Sequence, residues 1–176
     1  LVKKNDWMQV LVFTKTKHGA NRLATQLQRD GINADAIHGN KSQNARIRAL
    51  EDFKAGKVKV LVATDVAARG LDIKDVPAVF NFDVPFNAED YVHRIGRTGR
   101  AGRTGVGVTF VGAEQARDVQ RIAAELEAEV RDAHEVRDLL GDGSALFEAA
   151  YGVTDSGNWE GRTILSRTGP HRHPTC

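Results

Sequence analysis

The octapeptide His93-Arg94-Ile95-Gly96-Arg97-Thr98-Gly99-Arg100 sets three arginines and two glycines within eight residues, and no acid occurs from His93 to Thr104. Arginine keeps its charge and presents a planar fork of donors, while glycine lets backbone approach a bulky anion. That combination suits a polyphosphate, and Arg97 and Arg100, three apart, can reach the same one from a single turn. The plainer alternative is a solvated basic loop. His93 has the chemistry of a general base, but nothing in the sequence pairs it with a nucleophile, so it is assigned no reaction. Glu89 and Asp90 read as solvent-facing acids at a helix start, where the helix dipole favours them.

A second run, residues 60–73, reads Val-Leu-Val-Ala-Thr-Asp-Val-Ala-Ala-Arg-Gly-Leu-Asp-Ile. Together with His93 to Arg100 it resembles the last two signature motifs of DEAD-box RNA helicases, at about the spacing that family uses. Leu11 to Lys17 (LVFTKTK) resembles the fourth motif, and His38-Gly39-Asn40-Lys41-Ser42-Gln43 with Arg46 resembles the element after it. The four stand in the family's order. The resemblance covers about residues 9–130 and is nearest the bacterial RhlE-type branch. His18 stands where the family often has Arg, and Asn40 where it often has Asp, which puts some local contacts in doubt.

The resemblance implies a RecA-like three-layer α/β sandwich with a mainly parallel central sheet, acting as the second of two lobes that close over ATP and single-stranded RNA. By motif position Arg97 and Arg100 would be arginine fingers on the γ-phosphate, and Asp72 would accept hydrogen bonds from the ATP ribose. Thr16, Gly39, Gln43, Arg46, Thr64 and Gly70 would meet the RNA backbone, and Asp65 and Arg69 would hold motifs together or pair with the other lobe. Each has an ordinary alternative: an internal salt bridge for the arginines, a turn or cap for Asp72, capping or surface roles for the RNA candidates. Neither G-x-x-x-x-G-K-[ST] nor D-E-A-D occurs in the 176 residues. Mg2+ and the phosphate loop are therefore expected from an N-terminal RecA-like lobe, and the chain alone is expected to hydrolyse nothing. The rival reading is a non-catalytic RNA-binding or lobe-docking module. A DNA-helicase lobe of the same superfamily fits Arg97 and Arg100 but fits Ala63 to Asp72 poorly.

Charge is distributed to match. Residues 1–111 hold 18 Lys and Arg against 11 Asp and Glu, whereas residues 112–140 hold four Arg against eight acids. The basic part coincides with the motifs, as phosphate binding requires. A lone Cys176 excludes an internal disulfide framework and a cysteine-rich zinc site. No apolar run approaches the ~20 residues of a membrane helix, and no signal-peptide pattern opens the chain, so a cytoplasmic protein is expected. No aromatic ladder is visible: the phenylalanines of the motif-bearing part, Phe13, Phe53, Phe80, Phe82, Phe86 and Phe110, stand mostly at strand or core positions. Base stacking is expected to matter little, and RNA binding to be sequence-independent through the backbone.

The elements that must position these groups alternate between β-branched runs and helical patterns, the mark of βα units. Strands are expected at Val10–Phe13, Asn33–Ile37, Val58–Ala63 (the most hydrophobic, hence central), Ala78–Phe82 and Val106–Val111. Helices are expected at Lys17–Asp30 with Gly31 as its stop, from a Ser42 cap to near Gly56 burying Ile47, Leu50 and Phe53, from an Asn87 cap towards Arg94, and from Glu114 to Val130. Residues 1–132 are expected to form the domain and 133–176 an irregular or partly helical tail of uncertain origin, disordered or chimeric. Within it AYGVTDSGNWEG resembles part of the YyaL-type thioredoxin-domain-containing family. Open parallel sheets bind ligands beyond the carboxyl ends of their strands, which is where Thr64, Asp65 and the loops after Phe13 and Ile37 fall.

Overall fold

A computed structural model of the chain describes residues 2–3, 7–98, 105–125, 130–131 and 163–168. Five strands, β1 (Val10–Thr14), β2 (Ala34–Ile37), β3 (Val60–Thr64), β4 (Ala78–Asn81) and β5 (Gly105–Thr109), run parallel in the order β2-β3-β1-β4-β5. The middle strand is β1; β3 lies between it and β2, and is buried from Val60 to Ala63 because both its faces are covered.

Side chains alternate between the two faces, as the pleat demands. Val10, Val12, Val60, Val62, Ala78 and Phe80 face one layer, where α1 (Lys17–Arg29) packs Ala20, Leu23, Ala24 and Leu27. Leu11, Phe13, Leu61, Ala63 and Val79 face the other, covered by α2 (Gln43–Lys54), α3 (Asp65–Ala68), α4 (Ala88–Ile95) and α5 (Ala116–Glu125). The three-layer sandwich follows. On the α1 side Trp7, Phe80, Phe110 and Phe82 form a chain of ring contacts at centroid distances of 5.6, 6.0 and 6.1 Å.

The helix ends obey local chemistry. The Thr16 hydroxyl accepts from Gly19 N at 2.9 Å, Ser42 from Ala45 N at 3.3 Å, and Asn87 from Asp90 N at 2.7 Å. After α1, Gly31 takes a positive φ of 75° while Ile32 N donates to Leu27 O and Gly31 N to Gln28 O, a paired closure that a side chain at residue 31 would strain.

Four details depart from expectation. Ile47 is 45% exposed, and Ala49 joins Phe53 as a buried residue of α2. The four-residue α3 was not legible, since a stretch that short has no periodicity to read. The last helix, preceded by a 3-10 turn at Ala113–Gln115, is described over Ala116–Glu125, and residues 126–129 lie outside the described residues; Val130 belongs to a short strand, β6 (Val130–Arg131). Of the expected irregular or partly helical tail, the described part is a strand, β7 (Thr163–Thr168), antiparallel to β5 and to β6. Its Thr-Ile-Leu-Ser-Arg-Thr sequence is rich in strand-forming types.

Candidate functional site

Parallel pairing in register sets the strand ends side by side. Thr14 is opposite Thr64 and Ile37 opposite Ala63, so the loops carrying Thr16, Thr64 and Gly39 leave adjacent positions on one edge of the sheet. Thr16 is exposed, with its hydroxyl capping α1. Thr64 begins α3 and makes no side-chain cap bond. A Cβ built on Gly39 or on Gly70 meets nothing within 4 Å, and neither glycine has a positive φ. The chain's own packing therefore does not demand glycine at either place. Gln43 and Arg46 do share a face of α2, with Arg46 Nη1 donating to Gln43 Oε1 at 3.3 Å, while the buried Arg46 Nε has no partner.

The basic octapeptide divides into groups with different surroundings. His93 is exposed on α4. Arg94 is 2% exposed and held by its own chain through four hydrogen bonds: Nε and Nη2 donate to the two carboxylate oxygens of Asp65, each at 2.7 Å. Its Nη1 donates to Asn81 Oδ1 at 3.2 Å and to Asp83 O at 2.8 Å, and the guanidinium carbon lies 5.2 Å from the Phe13 ring centroid. This bidentate pair ties α4 to the start of α3 and to the end of β4. Sequence reasoning placed Asp65 in such a role without finding its partner. The signal was there, since Tyr91, Arg94 and Ile95 fall on one helical face and all three are buried.

Arg97 is different. It lies just past α4 and is half-buried, and its guanidinium is satisfied by main chain alone: Nη1 donates to Leu71 O at 3.1 Å and Ile73 O at 3.4 Å, and Nη2 to Ala68 O at 3.5 Å. Among the described residues no carboxylate pairs with it. Its charge is therefore held by carbonyl dipoles and not cancelled by a counter-charge among the described residues. The two nearer carbonyls flank Asp72, so the turn past α4 and the loop bearing Asp72 meet at this guanidinium. The backbone secures the junction, with Val76 N donating to Arg97 O at 3.2 Å and the Thr98 hydroxyl donating to Val76 O. Arg100 lies outside the described residues.

The Asp72 side chain is 70% exposed, 2.9 Å from Lys74 Nζ and 3.5 Å from Lys54 Nζ. The hydrogen-bonded Lys74 ammonium, with Lys54 behind it, holds this carboxyl below the usual carboxylate range. Arg69 donates to Asp90 at 2.8 Å and so braces α3 against α4. Asp90 is thus an ion-pair partner with a side chain only 15% exposed, and of the two adjacent acids Glu89 alone faces solvent. An Arg partner reaching over from a neighbouring helix is invisible to sequence spacing. His38, buried at the end of β2, makes a 2.9 Å contact from Nε2 to Asn21 Oδ1 and leaves Nδ1 without a partner. Burial first, then the nearby Lys41 and Lys17, push its pKa below the usual histidine value.

The arrangement offers Arg97, which has no carboxylate partner among the described residues, near the exposed Asp72, and a separate row of small polar groups and open glycines along the strand ends. The family model described as the helicase conserved C-terminal domain matches residues 1–102. The chain is 43% identical over 166 residues to ATP-dependent RNA helicase DBP2 of Ajellomyces capsulatus, covering 92% of this chain and 29% of that protein. It is 49% identical over 123 residues to DEAD-box ATP-dependent RNA helicase 30 of Arabidopsis thaliana, covering 68% of this chain and 21% of the relative. It thus spans under a third of either relative's length. Among solved structures, the Escherichia coli DEAD-box protein SrmB, bound to regulator of ribonuclease activity A, superposes with a TM-score of 0.67 at 40% identity, over 70% of this chain and 73% of that one. A DEAD box protein from Methanococcus jannaschii gives 0.69 at 33% identity, over 85% of this chain and 36% of that one.

Proposed function

The chain belongs to the DEAD-box ATP-dependent RNA helicases, as a helicase conserved C-terminal domain, and from that membership we propose that it is the lobe that completes an ATP site and grips single-stranded RNA. The observation that carries this reading is Arg97, a guanidinium bonded to three carbonyls and, among the described residues, to no carboxylate, next to Asp72. Charge spreads over the equatorial oxygens of a transferring phosphoryl group, and a cation brought there is worth ~10³ to 10⁵ in rate. Arg97, with Arg100 as its partner, would exchange weak main-chain bonds for phosphate oxygens when a phosphate-loop lobe docks. Asp72, an exposed carboxylate paired with two lysines, would accept from the ribose hydroxyls. Mg2+ would be held by that other lobe, where it neutralises phosphate charge.

The RNA side would use the strand-end row: Thr16, Gly39, Gln43, Arg46, Thr64 and Gly70. Short hydroxyls and main-chain groups bind phosphates without reading bases. Space left open at Gly39 and Gly70 supports a close backbone approach. Closure of both lobes would bend one strand and release its complement. The rival, a non-catalytic module, shares the same contacts but no turnover. Mixing the chain with a phosphate-loop lobe in trans separates them: RNA-stimulated ATP hydrolysis should appear in the mixture and in neither part alone. Robust hydrolysis by the isolated chain, or none by the mixture, would refute the reading.

A further inference from the structure

Most phenylalanines of the domain are used for packing: Phe13, Phe53 and Phe80 are buried, and Phe82 and Phe110 contact one another at 6.1 Å. Phe86 is the exception. It is 74% exposed, and Lys15 Nζ lies over its ring, 5.6 Å from the centroid. That ammonium has no carboxylate partner among the described residues.

The backbone beneath the ring is fixed. Asp83 Oδ2 accepts from Lys15 N at 2.7 Å, which joins the loop after β4 to the loop after β1. Phe82 N donates to Phe13 O at 2.9 Å, Pro85 is buried, Val84 packs on the core, and Arg121 Nη2 donates to Phe86 O at 3.2 Å. Asn87 then caps α4. An exposed aromatic on a braced loop loses little conformational freedom when it binds something flat. Its cation sits one residue before Thr16, at the end of the strand-end row.

We propose that Phe86 and Lys15 form a base-stacking platform for single-stranded RNA, extending the backbone track one nucleotide beyond Thr16. The inference rests on the RNA-binding reading given above. Aromatic faces accept any base, so the platform adds affinity without adding sequence preference, and the Lys15 ammonium is placed for the phosphate beside the stacked base. It revises the expectation that stacking matters little.

The test uses the 176-residue chain with fluorescein-labelled oligouridylate and with an abasic ribose-phosphate oligomer of equal length. Phe86→Ala should weaken oligouridylate binding between about fivefold and about a hundredfold, leaving the abasic oligomer unaffected. Phe86→Trp should restore affinity, with indole fluorescence quenched by oligouridylate only. Lys15→Ala should weaken both and reduce the salt slope by about one. An equal loss for both oligomers with Phe86→Ala would show that the ring merely shapes the loop, and would overturn the platform. Unchanged RNA affinity in Phe86→Ala, with Arg46→Ala still weakening it, overturns the platform and leaves the backbone track standing. If Phe86→Ala then weakens association with the phosphate-loop lobe, the ring belongs to a protein contact. No RNA binding by the unaltered chain, or none lost in Arg46→Ala, sinks the RNA reading and the platform with it.

Discussion

Replacing Arg94 by Met should unfold the chain more readily than any change to the exposed basic residues around it. Four donors of Arg94 are placed on Asp65, Asn81 and Asp83, and its side chain is 3% exposed against 30% for Asp65. Breaking a buried pair by removing one partner costs ~3–5 kcal/mol, because the other charge and its neighbours lose their partners. Asp65 can recover some hydration, so the lower end, ~3 kcal/mol, is expected. At ~2–4 °C per kcal/mol for a chain of this size, the melting temperature should fall by ~6–12 °C. Urea unfolding followed by circular dichroism measures the loss directly. Arg94→Lys keeps the charge but not the fork and should fall between the two. Asp65→Asn should cost less in the Arg94→Met background than alone, because the two groups share one interaction. A loss in Arg94→Met under about 1 kcal/mol, the size of an ordinary surface pair, would refute the idea that this arginine holds the motifs together.

Other outcomes follow from the same geometry. Thr16→Ala should cost ~1 kcal/mol through the lost α1 cap and also weaken RNA binding, whereas Thr16→Ser should keep the cap; equal stability of all three chains by urea unfolding would contradict the 2.9 Å bond to Gly19 N. His38 resists protonation when folded, since a second N–H at Nδ1 would be buried without an acceptor. Its folded pKa lies below the unfolded value, so its contribution is complete above about pH 6.5 and is lost as pH falls below that. Urea midpoints between pH 7 and 5 should drop less steeply for His38→Gln than for the parent. Asp72→Asn in a joined two-lobe protein should raise the KM for ATP ~10-fold or more and leave that for 2′,3′-dideoxy-ATP little changed; identical shifts for both nucleotides would remove Asp72 from the ribose.

The parallel sheet was legible because β-branched runs alternate with amphipathic stretches, and the caps at Thr16, Ser42 and Asn87 carry their own side-chain chemistry. The residues that tie motifs together were only half legible. Asp65 stood out by its place after a strand, but its partner Arg94 lies 29 positions away and reaches it only once β3 and α4 are packed. Asp90, taken for a solvent-facing acid, is claimed by Arg69 from a neighbouring helix. The exposure of Phe86 was equally hidden, since nothing in the sequence between β4 and α4 shows which side of the loop the ring takes. Local spacing reports the face of an element; it does not report which other element covers that face.

On the proposed reading Arg97 serves a phosphoryl group and not the fold of its own lobe. Single-turnover ATP hydrolysis by a joined two-lobe protein, with saturating RNA, tests it most directly. Arg97→Ala should slow the chemical step by ~10³-fold or more, Arg97→Lys should not rescue it for want of the planar fork, and RNA affinity should stay within about twofold of the parent. Hydrolysis at the parental rate in Arg97→Ala, or a loss that tracks RNA binding and unfolding instead, would contradict the account.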